Sequence, residues 1–156
     1  MRRFLALLLV LPSLARAEER LDVLTFTAPA GWEREAKPTG VDFSHVDRAT
    51  RSWCQLSVHR PVPTRGSLVR DFEADWKAFV ASSVSTGPKV TEGPDVGGWK
   101  GRSGLAWGRF NAERMLGRLV TLNGNGQAVS VVLKGNTEHC VESAEALVAS
   151  MHFAAP

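Results

Sequence analysis

Two cysteines and four histidines are the side chains of this 156-residue chain best suited to nucleophilic, acid-base or metal chemistry. The histidines, His45, His59, His139 and His152, show neither His-x3-His nor His-Glu-x-x-His spacing, the patterns that bring two imidazoles to one metal. A zinc site built from His59, His139 and the cysteines requires free thiols. A Cys-His nucleophile pair requires a thiolate in a polar, accessible setting. Cys54, however, alternates with Leu56 and Val58 in "WCQLSVH", and Cys140 falls on the apolar side of a helical pattern. Ser44, His45 and Asp47 have the residue types of a hydrolase triad, but neighbours on a strand point to opposite sides and no Gly-x-Ser-x-Gly elbow occurs. The carboxylate pairs Glu33/Glu35 and Glu142/Glu145 read as solvated faces. No catalytic residue, metal ligand or cofactor-binding residue is assigned.

The stretch "VTLNGNGQAVSVVL" (120–133) is rich enough in glycine to raise a phosphate loop. Such a loop leads from a strand into a helix N-terminus, with a Lys and a hydroxyl directly after it. Here a second strand-like run follows, and no Lys-Ser/Thr pair is present. A hairpin with Asn125-Gly126 as a two-residue type I′ turn instead sets Leu122 opposite Val129, Thr121 opposite Ser130 and Val120 opposite Val131, like against like.

Among five tryptophans, Trp99 stands out. It lies in "GGWKGRSG" beside Lys100 and Arg102, and the three form a candidate binding loop carrying an accessible aromatic. Burial of Trp99 is the competing outcome, because tryptophans are highly buried on average.

The chain opens "MRRFLALLLVLPSLARAEER": two arginines, an apolar run, Pro12 and Ala15-Arg16-Ala17. That is the pattern of a secretory signal peptide over residues 1–17, cleaved after Ala17. The apolar run is far short of the roughly 20 residues that span a bilayer, and no cysteine stands at the cleavage point to take a lipid anchor. Arg2, Arg3 and Arg16 account for the whole formal charge of +3, so the excess that would suggest nucleic acid leaves with the leader. Residues 18–156 suit a single domain, periplasmic or extracellular. In that oxidising setting a Cys54–Cys140 disulfide is the first reading, with a catalytic thiol or two unpaired core cysteines as its rivals.

Two segments have helical periodicity. In "SLVRDFEADWKAFVAS", Leu68, Val69, Phe72, Trp76, Phe79 and Val80 form an apolar stripe behind a Ser67 cap. In "NTEHCVESAEALVASMHF", Cys140, Val141, Ala144, Leu147, Val148 and Met151 do so, with Asn136 or Thr137 as cap. Strands are expected at 21–27, 41–46, 53–59, 105–110, 114–122 and 128–134, with "APAGWEREAKPTG" and the Gly/Pro-rich 85–104 as loops, the latter holding one short strand at 89–91. This order predicts an α+β fold, a mainly antiparallel sheet with two main helices packed on it as an α/β/α sandwich.

"FTAPAGWERE", the mid-chain amphipathic helix and "GQAVSVVLKGNTEHCVESAEALVASMHF" together resemble the PsbP-like fold, which includes a nuclear-import factor that binds the GTPase Ran and the bacterial DcrB-like exported proteins. The resemblance spans nearly all of residues 18–156. It implies non-enzymatic work, binding or assisting a partner; some bacterial relatives are cytoplasmic chaperones, a role the leader argues against. The expected function is thus an exported, non-catalytic envelope-accessory protein whose partner is another envelope or secreted protein. The alternative is an exported hydrolase or small-ligand enzyme with a dispersed active site.

Overall fold

A computed structural model describes residues 17–155. The proposed leader, residues 1–16, lies outside the described residues; Ala17 lies inside them, and its carbonyl accepts the Ala28 amide at 2.9 Å. The described residues form eleven strands and two α-helices: β1 (Glu18–Leu21), β2 (Leu24–Thr27), β3 (Glu33–Lys37), β4 (Gly40–Asp47), β5 (Ser52–His59), β6 (Val62–Pro63), α1 (Leu68–Asp75), β7 (Lys89–Glu92), β8 (Lys100–Phe110), β9 (Glu113–Gly124), β10 (Gln127–Gly135), α2 (His139–Ala149) and β11 (His152–Phe153). All strand pairs are antiparallel, in a main sheet ordered β3-β4-β5-β10-β9-β8-β7 and a small sheet ordered β1-β2-β11. The fold is therefore α+β and mainly antiparallel.

Strand alternation sends Val41, Phe43, Leu56, Val58, Val131 and Leu133 to one face of the main sheet, where Leu147, Val148 and Met151 of the α2 region and Leu24 and Phe26 of the small sheet cover them. The opposite face presents Ala106, Leu119 and Val132, against which Phe72, Trp76 and Val80 pack. Gly104 and Gly117 permit that approach: an added Cβ would lie 2.5 Å from the Phe72 ring in the first case and 2.5 Å from Val80 in the second. Ser67 caps α1 by accepting the Arg70 amide. The helix then widens into one π turn over Trp76–Val80.

The β9–β10 hairpin has the register anticipated above, Leu122 opposite Val129 and Val120 opposite Val131. Asn125 and Gly126 both take positive φ, 51° and 75°, as a type I′ turn requires. Other boundaries move. Residues 21–27 break into β1 and β2 at a turn where Asp22 has φ 54°. Residues 33–37, expected as loop, form β3, an exposed edge strand whose partner β4 supplies the pattern its own charged residues lack. β8 begins at Lys100 rather than 105, because full-length pairing with β9 overrides its glycines.

Helix α2 begins at His139, preceded by Glu138 without a side-chain cap. Of the two expected caps, Thr137 Oγ1 accepts the His139 amide at 3.4 Å, whereas Asn136 uses its carboxamide elsewhere. Its Oδ1 accepts the Trp53 amide and its Nδ2 donates to the Arg51 carbonyl, both at 2.9 Å. This clamp sits one residue from Cys54, which is bonded to Cys140 with the Cα atoms 5.6 Å apart. The disulfide closes β5 onto α2, and the thiol rivals fall away because both sulfurs are consumed.

Candidate functional site

Helix α1 and its π turn lie over β8, β9 and β10 and leave the same face of β4 and β5 uncovered. The positions that alternate onto that bare area are polar: Asp42 on β4, Gln55, Ser57 and His59 on β5, and Lys134 on β10. Lys37 and Thr39 from the β3–β4 edge and Phe79 and Ser82 from the helix side complete a depression of about 320 Å³. Phe79, brought onto β5 by the π turn, stacks on His59 with ring centroids 4.2 Å apart and planes 17° apart.

A buried polar network holds the helix in this position. Asp71, fully buried, accepts from Thr64 Oγ1 at 2.6 Å, the Arg65 amide at 2.7 Å and Asn123 Nδ2 at 2.5 Å. Asp75 accepts from Ser130 Oγ and, at 3.3 Å, from Arg65 Nη1. Burial pushes the Asp71 carboxyl up, but the hydrogen bonds from Thr64, the Arg65 amide and Asn123, together with the Arg65 charge, outweigh it and hold the group below the usual carboxylate range. Both acids lie on the buried side of α1, which displaces Val69, 43% exposed, from the stripe expected of it.

Burial also pushes His59 below the usual imidazole range, against the pull of Asp42 and Asp75. The fold therefore favours neutral His59, whose contribution is complete above the ordinary value of 6.5 and is lost as pH falls through the lower folded value. Wild-type protein is expected to lose stability between about pH 7 and pH 5, and His59→Phe, which keeps an aromatic against Phe79, to lose less. Urea titrations at both pH values check this. The carboxylates held low, Asp47, Asp71 and Asp95, change charge only below about pH 4 and do not enter that window.

Lys134 is the other distinctive group. It is half-buried, burial draws its ammonium below the usual lysine range, and among the described residues no carboxylate offsets that effect. Ser57 stands directly opposite Asp42 in the β4–β5 ladder, two residues before His59, so one depression gathers a hydroxyl, an imidazole and a carboxylate. Among the described residues, however, no hydrogen bond joins Ser57 to His59 or His59 to Asp42; Asp42 instead accepts from Gln55 Nε2 at 3.5 Å.

The residues singled out from sequence scatter. Trp99 is not an accessible loop aromatic: it is 3% exposed, stacked 3.9 Å from the Phe153 ring and seated over Gly124. Lys100 is paired with Asp95, and Arg102 lies over the Phe72 ring on the other side of the sheet. Alternation puts Trp99 on the face opposite Lys100 and Arg102, which share one face of β8 and line a depression of about 420 Å³ with Glu92 and Asp95, so the aromatic is missing from that surface. His45 stacks on Trp32, His139 meets Glu142 at 3.1 Å and His152 begins β11. Among the described residues no group of three or more His, Cys, Asp or Glu gathers to hold a metal, and no helix is long and apolar enough to cross a membrane.

From sequence Asp71 is only an acid near the positive end of α1, as observed, and neither its burial nor Asp75 nor Lys134 is anticipated. Their signals were present: two acids at i, i+4 flanking Phe72 and Trp76, and a lysine sharing the alternation of Ser130 and Val132.

No known family matches the chain, and no curated protein does. Solved structures share its architecture. One, from Bacteroides thetaiotaomicron VPI-5482, aligns with 85% of this chain at 12% identity and a TM-score of 0.58, and this chain spans 46% of that one. LpqN of Mycobacterium tuberculosis, described as involved in cell envelope biogenesis, aligns with 85% of this chain and 83% of its own at 10% identity and a TM-score of 0.56. Likeness at such identities establishes shared architecture, not shared activity.

Proposed function

We propose that this is an exported, envelope-accessory binding protein that takes its partner or ligand in the groove over β4, β5 and β10. The observation that carries the proposal is the half-covered sheet: one helix packs on β8 to β10 and leaves a concave, polar area with an uncompensated lysine on its floor. The leader over residues 1–17, the disulfide and the envelope description of LpqN support export and an envelope setting. The PsbP-like and DcrB-like resemblance belongs to the same proposal, since those proteins act by binding.

The convergence of Ser57, His59 and Asp42 favours one alternative, a hydrolase with Ser57 as nucleophile. The absence of a nucleophile-base hydrogen bond is why binding is preferred.

The test combines location with surface. Protein recovered from envelope fractions is expected to begin at Glu18, and Ser57→Arg, which fills the groove without touching the core, to fail to restore envelope integrity to a deletion strain. Full rescue by Ser57→Arg would reject the groove, and intact Met1 on cytosolic protein would reject export. Ester hydrolysis lost in both Ser57→Ala and His59→Ala would establish the alternative.

A further inference from the structure

Past the His59–Phe79 stack the groove continues into a second depression of about 460 Å³, floored by Pro38, Pro61, Val62 and Ala128. Thr39, His59 and Phe79 border both depressions. Positions 128, 130, 132 and 134 of β10 all face this side, so the combined groove runs along one strand for about 20 Å.

Its two ends differ in chemistry. Charges at the apolar end are satisfied within the protein: Arg60 pairs with Asp22 at 3.2 Å and Arg65 with Asp75 at 3.3 Å. What remains open there is hydrocarbon, with Val62 45% exposed. At the other end Lys134, half-buried, lines the first depression beside Lys37, and among the described residues it makes no salt bridge, not even to Asp42 of the same depression; burial draws its ammonium below the usual range, and an arriving anion would replace the lost hydration. Between them, Phe79 offers a half-exposed ring that a chain can cross.

We infer that the groove binds an anionic amphiphile, its acidic headgroup at Lys134 and its apolar chain laid across Phe79 onto Pro61 and Val62. This rests on the groove being the binding surface and adds the chemistry of its occupant.

Calorimetric titration of the exported protein, below micelle-forming concentrations, tests it with dodecanoate, dodecyl phosphate, neutral dodecyl maltoside, and acetate or inorganic phosphate as headgroups alone. The anionic amphiphiles are expected to bind at least tenfold more tightly than the neutral one and over a hundredfold more tightly than the headgroups. Lys134→Gln is expected to remove the tenfold preference while leaving neutral-chain binding unchanged, Lys134→Arg to retain it, and Val62→Glu to weaken every chain-bearing probe. Tighter binding of dodecanoate than dodecyl phosphate would identify a fatty-acid-like source, and the reverse a phospholipid-like one. Equal affinity for charged and neutral chains, or indifference to Lys134→Gln, would overturn the inference. If amphiphiles fail to bind while Ser57→Arg still abolishes envelope rescue, the occupant assigned here is wrong and the groove stands; if Ser57→Arg also rescues fully, both fail.

Discussion

Replacing Cys54 and Cys140 together by alanine is expected to lower the free energy of unfolding by about 4 to 5 kcal/mol. The bond joins residues 86 apart in sequence, so its loss releases a long loop in the unfolded chain, where the entropic effect is large. The native state is built to receive the bond. Gly135 lies opposite Cys54 in the β5–β10 ladder, and a Cβ there would fall 2.6 Å from Cys140 Sγ. The Asn136 clamp fixes the adjoining strand end independently, so the native geometry should survive reduction while the unfolded ensemble expands. Guanidinium titrations of wild-type and double-alanine protein measure the difference. A loss below about 1 kcal/mol would mean that the cross-link constrains little.

Asp71→Ala is expected to cost about 3 to 5 kcal/mol, nearly as much from one exposed-looking acid. The carboxylate serves Thr64, the Arg65 amide and Asn123 at once, in a place closed to water. Removing it leaves three part-buried donors without their shared acceptor, Asn123 retaining only Thr64 Oγ1 at 2.8 Å, and unmet donors cost more than the hydrogen bonds themselves contributed. Asp71→Asn keeps the volume but turns an N–H2 toward donors, and about 2 kcal/mol is expected. Because the folded carboxyl is held below its ordinary value of 3.8, its contribution is present above that pH and disappears as pH falls through the lower folded value. The gap between wild type and Asp71→Ala should therefore shrink between about pH 4 and pH 2. A constant gap would show that packing, not charge, is what Asp71 supplies.

These residues also mark how far the chain could be read before folding. The hairpin at 120–133 was legible to the residue, because Asn-Gly chemistry and like-against-like pairing are local and agree with each other. Both helices were visible from their periodicity, and Ser67 from its position ahead of α1. β3 was not, because an edge strand with "EREAK" buries almost nothing and exists through its partner. The tip of α1 misled for a related reason: hydrophobicity ranks Val69 above Asp71, yet Thr64, Arg65 and Asn123 arrive from elsewhere to make the acid the better buried group. Trp99 looked like a loop aromatic until β8 paired through it and Phe153, from the far end of the chain, covered its ring.

The sequence by itself determined the α+β class, the turn at Asn125-Gly126, and the apolar company of both cysteines, since each follows from side-chain period and turn chemistry within a few residues. Tertiary structure alone decided that Cys54 and Cys140 meet, that two aspartates are buried, and that His59, Ser57 and Lys134 share one groove. Those outcomes depend on which strands lie side by side and how much of the sheet a helix covers, distances set by the packing of segments far apart in the chain.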